Sequence, residues 1–201
     1  LQFASNDCRV YSIKYYFMKR LLFSGFLCVL LSLQVMSQQT TVPAAAAIIL
    51  KQAYREASEQ NKNVLVMFHA SWCGWCHRMD TSINDPVCKK FFTDNYVICH
   101  LVVDESAEKK KLENPGAVEL RTKYHGDGQG IPFWLIFDKE GRLLADSKIR
   151  TAGQGPEEGE NVGCPASEKE VSYFISVLKM TSPLNDQQLE VIRKRFRENE
   201  K

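Results

Sequence analysis

The sequence predicts an α/β sandwich, a small mixed sheet flanked by helices. Three observations carry this: helical and buried-strand patterns alternate through the first half, a tight hairpin signal follows, and amphipathic patterns close the chain. With 201 residues, 44% hydrophobic and 25% charged, there is room for about one domain, and collagen-like or charge-driven disordered chains are excluded. The 26 basic residues against 24 acidic ones leave a net charge of +2. That offers no general electrostatic footprint for nucleic acid, which is not an expected partner.

Residues 1–37 stand apart. Met18, Lys19 and Arg20 precede an apolar run from Leu21 to Leu33, and Val35-Met36-Ser37 then offers a cleavable end. A basic start, a short apolar core and such an end make a secretory signal peptide. The run is shorter than the roughly 20 apolar residues of a spanning helix, so an uncleaved membrane anchor is the second choice. The bulky Leu27 before Cys28 argues against a lipid-attachment box. Residues 1–17 precede Met18 and read as upstream extension. The expectation is an exported chain, periplasmic or secreted, with a domain over residues 38–182 and a C-terminal helix over 183–201 packed on or extending it. Losing Arg9, Lys14, Lys19, Arg20 and Asp7 leaves the remainder nearly neutral. It keeps Cys73, Cys76, Cys88, Cys99 and Cys164, an odd set that cannot all pair within one chain in an oxidising compartment.

The elements follow in order. Ile49, Ala53 and Ala57 recur every four positions, predicting a first helix that ends near Asn61-Lys62-Asn63. Val64 to Phe68 is a short, continuously apolar run, the pattern of a strand buried on both faces. Cys73 to Ile83 reads as a helix, and Asp85-Pro86 as the cap and first turn of another. Val97 to Val103 is a second buried strand, followed by helical pieces at Glu105–Leu112 and Ala117–Tyr124 and a loop at Gly126–Gly130. Phe133–Phe137 and Leu143–Ser147 form strands joined by Asp138-Lys139-Glu140-Gly141. The polar stretch from Thr151 to Ala166 is a long loop, which in a small domain is either mobile or functional. Val171, Phe174, Ile175 and Leu178 then mark one helix; Leu189, Ile192 and Phe196 mark the last, with Arg193, Lys194, Arg195 and Arg197 as its solvated face.

Chemistry concentrates at Cys73-Gly74-Trp75-Cys76, which ends a buried strand and opens a helix. Cysteines three apart on such a turn approach within disulfide reach. Unpaired amides and the helix dipole at that point favour a thiolate, lowering a thiol of pKa ~8.5 toward neutrality. Cys73 is then the exposed nucleophile that forms a mixed disulfide with a client, and Cys76, a turn deeper, resolves it. Trp72 and Trp75 supply an apolar docking rim.

Phe68-His69-Ala70-Ser71-Trp72-Cys73-Gly74-Trp75-Cys76-His77 resembles the active-site stretch of the thioredoxin superfamily, and Gly130-Ile131-Pro132 before the Phe133 strand resembles its cis-proline segment. The resemblance spans about Lys51 to Met180 and implies a thioredoxin-like three-layer sandwich acting as a thiol–disulfide oxidoreductase. Asp85-Pro86-Val87 is similar to the secreted branch that includes the C-terminal domain of the disulfide reductase DsbD. It further implies that Pro132 is cis against the cysteine pair, and that the Ile131 backbone offers strand-like hydrogen bonds to a client peptide. No organic cofactor or metal is implied, and the redox partner in that branch is often a membrane protein. One position departs from the family: the buried aspartate six residues before the first cysteine is Met67 here. His69 shares that face of the strand by alternation and is a candidate for the missing proton acceptor.

Three other readings compete. Cys73-Gly74-Trp75-Cys76-His77 is also a haem attachment pattern. Cys73, Cys76, His77 and His69 could contribute to a zinc or copper site, although no second ligand pair completes it. A permanently oxidised pair would leave a client-binding or chaperone-like module with Trp72, Trp75, Ile131 and Phe133 as its docking surface. Cys88 and Cys99 occupy apolar positions, whereas Cys164, in the glycine-rich loop, is the candidate extra reactive thiol. His100 and His125 acquire no role from sequence.

Overall fold

The computed structural model describes residues 42–201; the signal-peptide and upstream readings lie outside them. Helix α1 (Ala46–Gln60) buries Ala46, Leu50, Ala53 and Ala57 and stops at Asn61, whose left-handed backbone returns its amide to the Ala57 carbonyl. Strand β1 (Asn63–His69) runs parallel to β2 (Tyr96–Val102) and antiparallel to β3 (Phe133–Phe137), and β3 pairs antiparallel with β4 (Leu143–Asp146). The sheet order is β2-β1-β3-β4, so β1 sits between two partners and its apolar run is buried throughout its interior.

Between β1 and β2 the chain forms α2 (Gly74–Ile83) and α3 (Lys89–Asn95). Asp85-Pro86 does not open α3, contrary to the sequence reading. The Asp85 carboxylate accepts the Val87 amide at 3.1 Å and the Arg195 guanidinium at 2.6 Å, which makes a turn and delays the helix to Lys89. A 3-10 turn (Ala107–Leu112) and α4 (Ala117–Lys123) follow β2. The Thr151–Ala166 stretch is not all loop, because β5 (Lys148–Ile149) pairs antiparallel with β6 (Glu160–Asn161) in a small separate ribbon. Helices α5 (Glu168–Thr181) and α6 (Asp186–Arg197) each begin with a capping box, Ser167 with Glu170 and Asn185 with Gln188.

The sheet separates two apolar layers. Val64, Val66, Phe68, Phe133, Leu135 and Phe137 face α1 and α4. Leu65, Met67, Trp134 and Ile136 face α2, α3, α5 and α6, where Phe92, Phe174 and Phe196 pack together. Each large side chain fully removed from water contributes about 1.5–3 kcal/mol, so these layers hold the sheet ends in register. The basic face of α6 is less solvated than its pattern suggested. Arg195 crosses to Asp85, and Arg193 reaches Glu168 at 2.9 Å, tying α6 to α3's approach and to the start of α5. Among the described residues no helix is long and apolar enough to cross a membrane.

Candidate active site

The site lies where β1 ends. Ser71 is fixed by Glu105, which accepts its amide at 2.6 Å and its hydroxyl at 2.9 Å; those bonds hold the Glu105 carboxyl below the usual carboxylate range. Lys109 Nζ donates to the same hydroxyl at 3.1 Å. With the turn locked, Cys73 becomes the N-cap of α2, and its Sγ accepts the Cys76 amide at 3.1 Å. The two sulfurs are bonded as a disulfide, with the Cα atoms 5.3 Å apart.

Cys73 Sγ lies 3.6 Å from the Ile131 carbonyl oxygen, and the Ile131–Pro132 peptide bond is cis. Ala70, Cys73 and Cys76 form a small cluster against which Ile131 packs. Cys76 is fully buried, and Cys73 is 3% exposed rather than the open nucleophile the sequence suggested. The reason is its bond to Cys76 beneath the Ile131 segment; exposure falls instead on Trp72 (59%) and Trp75 (48%). Trp72 is tethered, its Nε1 donating to the Asp104 carbonyl at 2.8 Å, and Asp104 is gripped by both terminal nitrogens of the buried Arg121. The Arg78 guanidinium lies 4.7 Å above the Trp75 ring.

Beneath the pair, Met67 is fully buried at the position where the family carries an acid. The half-buried His69 ring lies 5.0 Å from that of His100, which contacts the Asp80 carboxylate of α2 at 2.8 Å. Burial, then the neighbouring His100, pulls the His69 pKa below 6.5 and favours its neutral form near pH 7. His77 turns away, its Nε2 on the Ser71 carbonyl at 3.0 Å. Sequence reasoning missed the His100–Asp80 pair, because parallel register brings His100 beside Met67 and only the packing of α2 supplies Asp80.

Of the other thiols, Cys88 and Cys164 are buried and Cys99 is partly so. Burial pushes Cys88 up to about 11 and Cys99 and Cys164 up to about 12. Cys164 is thus not the reactive thiol suggested by its loop: it is buried, with the Asn199 side chain 3.5 Å away. Among the described residues, no group of three or more His, Cys, Asp or Glu is arranged to hold a metal ion.

A disulfide built on the first turn of the helix after a central strand of this mixed sheet defines a thiol–disulfide oxidoreductase of thioredoxin-like fold. Residues 45–139 match the family model described as thioredoxin-like, and the four-stranded mixed sheet with its flanking helices has that fold. No curated protein matches the chain. Among solved structures, it is similar to a disulphide isomerase from Xylella fastidiosa Temecula1, with TM-score 0.42 and 18% identity over 56% of this chain and 77% of that one. A DsbH oxidoreductase gives TM-score 0.40 and 21% identity over 73% and 93%. A thioredoxin from Wuchereria bancrofti gives TM-score 0.30 and 20% identity over 57% and 81%.

Proposed function

We propose that the chain is an exported thiol–disulfide reductase of protein clients, with Cys73 attacking and Cys76 resolving. The observation that supports it best is the Cys73 sulfur, at once the cap of α2 and 3.6 Å from the Ile131 carbonyl. In the reduced pair, the Cys76 amide and the helix start favour the Cys73 thiolate. That thiolate attacks a client disulfide, one client sulfur leaves as thiolate, and a mixed disulfide forms. Cys76 then loses its proton and attacks the Cys73 sulfur, releasing the client as a dithiol and restoring the Cys73–Cys76 disulfide. Two electrons pass to the client, so a reducing partner must return them; in the DsbD-like branch that partner is often a membrane protein. No cofactor enters the cycle.

Trp72 and Trp75 form the client rim, the Ile131 backbone and Pro132 seat the peptide, and His69 takes the Cys76 proton. His69 suits that task because alternation places it on the Met67 face, which packs on α2, and because it is held neutral. What supports the reductive direction over the oxidative one is that only one amide and the helix terminus are placed to stabilise the Cys73 thiolate. Among the described residues, no cationic side chain hydrogen-bonds either sulfur. A weakly stabilised dithiol is the stronger reductant. Export rests on the order of residues from Met18 to Ser37.

Insulin reduction under a thiol reductant tests the reading. The wild-type chain is expected to accelerate precipitation of the insulin B chain, and Cys73→Ser to remove at least about 10³-fold of that rate. Equal effects of the two proteins would replace catalysis with simple client binding.

A further inference from the structure

We infer that Arg121, at the end of α4, is a positioning residue for the reaction: through Asp104 it holds the exposed Trp72 ring in one pose next to Cys73. This rests on the reading of the chain as an oxidoreductase of protein clients. Trp72 is 59% exposed, and a ring in water ordinarily samples several rotamers. Here its one polar atom is committed, because Nε1 donates to the Asp104 carbonyl at 2.8 Å. The pose of the ring is therefore as well defined as the backbone of residue 104. A client that meets a ring already held in place loses less freedom on binding. Among the described residues, Trp72 belongs to none of the apolar clusters, so the tether serves the surface and not the core.

Residue 104 needs holding. Its backbone is left-handed, φ +54°, a conformation that a non-glycine residue keeps only where its surroundings impose it. Its neighbours are bonded on both sides, the Val103 amide to the His69 carbonyl at 2.9 Å and the Glu105 amide to Glu113 Oε1 at 2.8 Å. The Asp104 side chain is exposed, and what fixes it is the Arg121 guanidinium, Nη1 to Oδ2 and Nη2 to Oδ1 at 3.1 Å. Two parallel bonds set the direction of the carboxylate as well as its distance. Arg121 is a firm anchor, because its side chain is 9% exposed and a buried guanidinium is costly to leave unpaired. Asp104 takes both terminal nitrogens, and Asp127 stands 3.8 Å from Nε. The stem of Arg121 packs where Gly126 lacks a side chain: a Cβ there would lie 2.6 Å from Arg121 Cγ and 2.7 Å from the Phe133 ring. The Arg121 carbonyl accepts the Gly126 amide at 3.0 Å, closing the chain after α4 on the same spot. One buried cation thus reaches, through a single carboxylate, the tryptophan that precedes the redox pair.

The test cuts this link at its exposed end and at its buried end. Asp104→Asn keeps a residue that tolerates the left-handed backbone but gives up the charge and one acceptor of the fork. Arg121→Met removes the guanidinium and keeps the stem. In each variant the Trp72 indole N–H is expected to exchange with solvent at least about fivefold faster, while that of the buried Trp134, which donates to the Gly163 carbonyl, stays within about twofold. The KM for insulin is expected to rise about fivefold, with kcat and the rate with a small aromatic disulfide within about twofold of wild type. The double variant should be no worse than either single one, because all three break the same chain of contacts. Unchanged Trp72 exchange or an unchanged KM in folded Asp104→Asn would overturn the assignment, and so would effects that add in the double variant. Equal acceleration at Trp72 and Trp134 would overturn it too, by reducing the ion pair to a support of the whole fold. A wild-type chain that reduces the small disulfide but no insulin would sink the protein-client reading itself, and this assignment with it.

Discussion

The head of α2 and the core beneath α6 both hold cysteines, yet they place sulfur differently: paired as a disulfide at a helix terminus in one, free among apolar rings in the other. In the core, Cys88 and Cys164 lie among Phe92, Phe174 and Phe196, and burial lifts their pKa values to about 11 and about 12. At pH 7 only roughly one such thiol in 10⁴ to 10⁵ is ionised. At the head of α2, Cys73 is nearly as buried but receives a backbone amide and a helix terminus. Burial is thus common to both regions; what sets Cys73 apart is its place at the helix head and its bond to Cys76.

The comparison can be broken first by unpacking the core. Phe196→Ala is expected to cost about 3–5 kcal/mol, read as a lowered denaturation midpoint, while leaving the potential of the Cys73–Cys76 couple unchanged. A shifted potential would mean that the two regions are coupled. A second test is alkylation of the fully reduced native protein at pH 7.5. Cys73 is expected to react at least about 10²-fold faster than Cys88, Cys99 or Cys164, which should label only on unfolding. Comparable labelling of Cys164 would erase the contrast.

The smallest expected effect sharpens the polar side of the comparison. His69→Asn should slow client turnover about tenfold at pH 7 and shift the pH profile toward alkali. In the wild type, turnover should fall as pH drops through the lowered His69 pKa, because imidazolium accepts no proton. Stability carries the same sign. The depressed folded pKa means that the contribution of His69 is complete above 6.5 and is lost as pH falls through the folded value. The variant should lack that slope in urea titrations between pH 7 and pH 5; an identical slope would reduce His69 to a packing residue.

Much of this was legible in the sequence, for local reasons. Val64–Phe68 and Phe133–Phe137 announce buried strands because both faces of a central strand are apolar, and the Cys73–Cys76 spacing announces a helix head. What was missed depends on partners distant in sequence. Asp85 reads as a helix cap in the sequence because its bond to Arg195 is invisible there, and the α6 arginines read as solvated for the same reason. Cys164 looked exposed beside its glycines, although the chain turns it inward at Gly163. Arg121 gives no signal, since its bonds to Asp104 join residues that only the fold brings together.

The most direct test is the equilibrium reduction potential of the Cys73–Cys76 couple in a series of glutathione or dithiothreitol redox buffers. The account predicts one reversible two-electron transition, changing tenfold per ~30 mV and centred at or below about −230 mV, toward the thioredoxin end of the range. A pair that never exchanges with the buffer would contradict the central claim, and a midpoint near −120 mV would reverse the direction of electron flow.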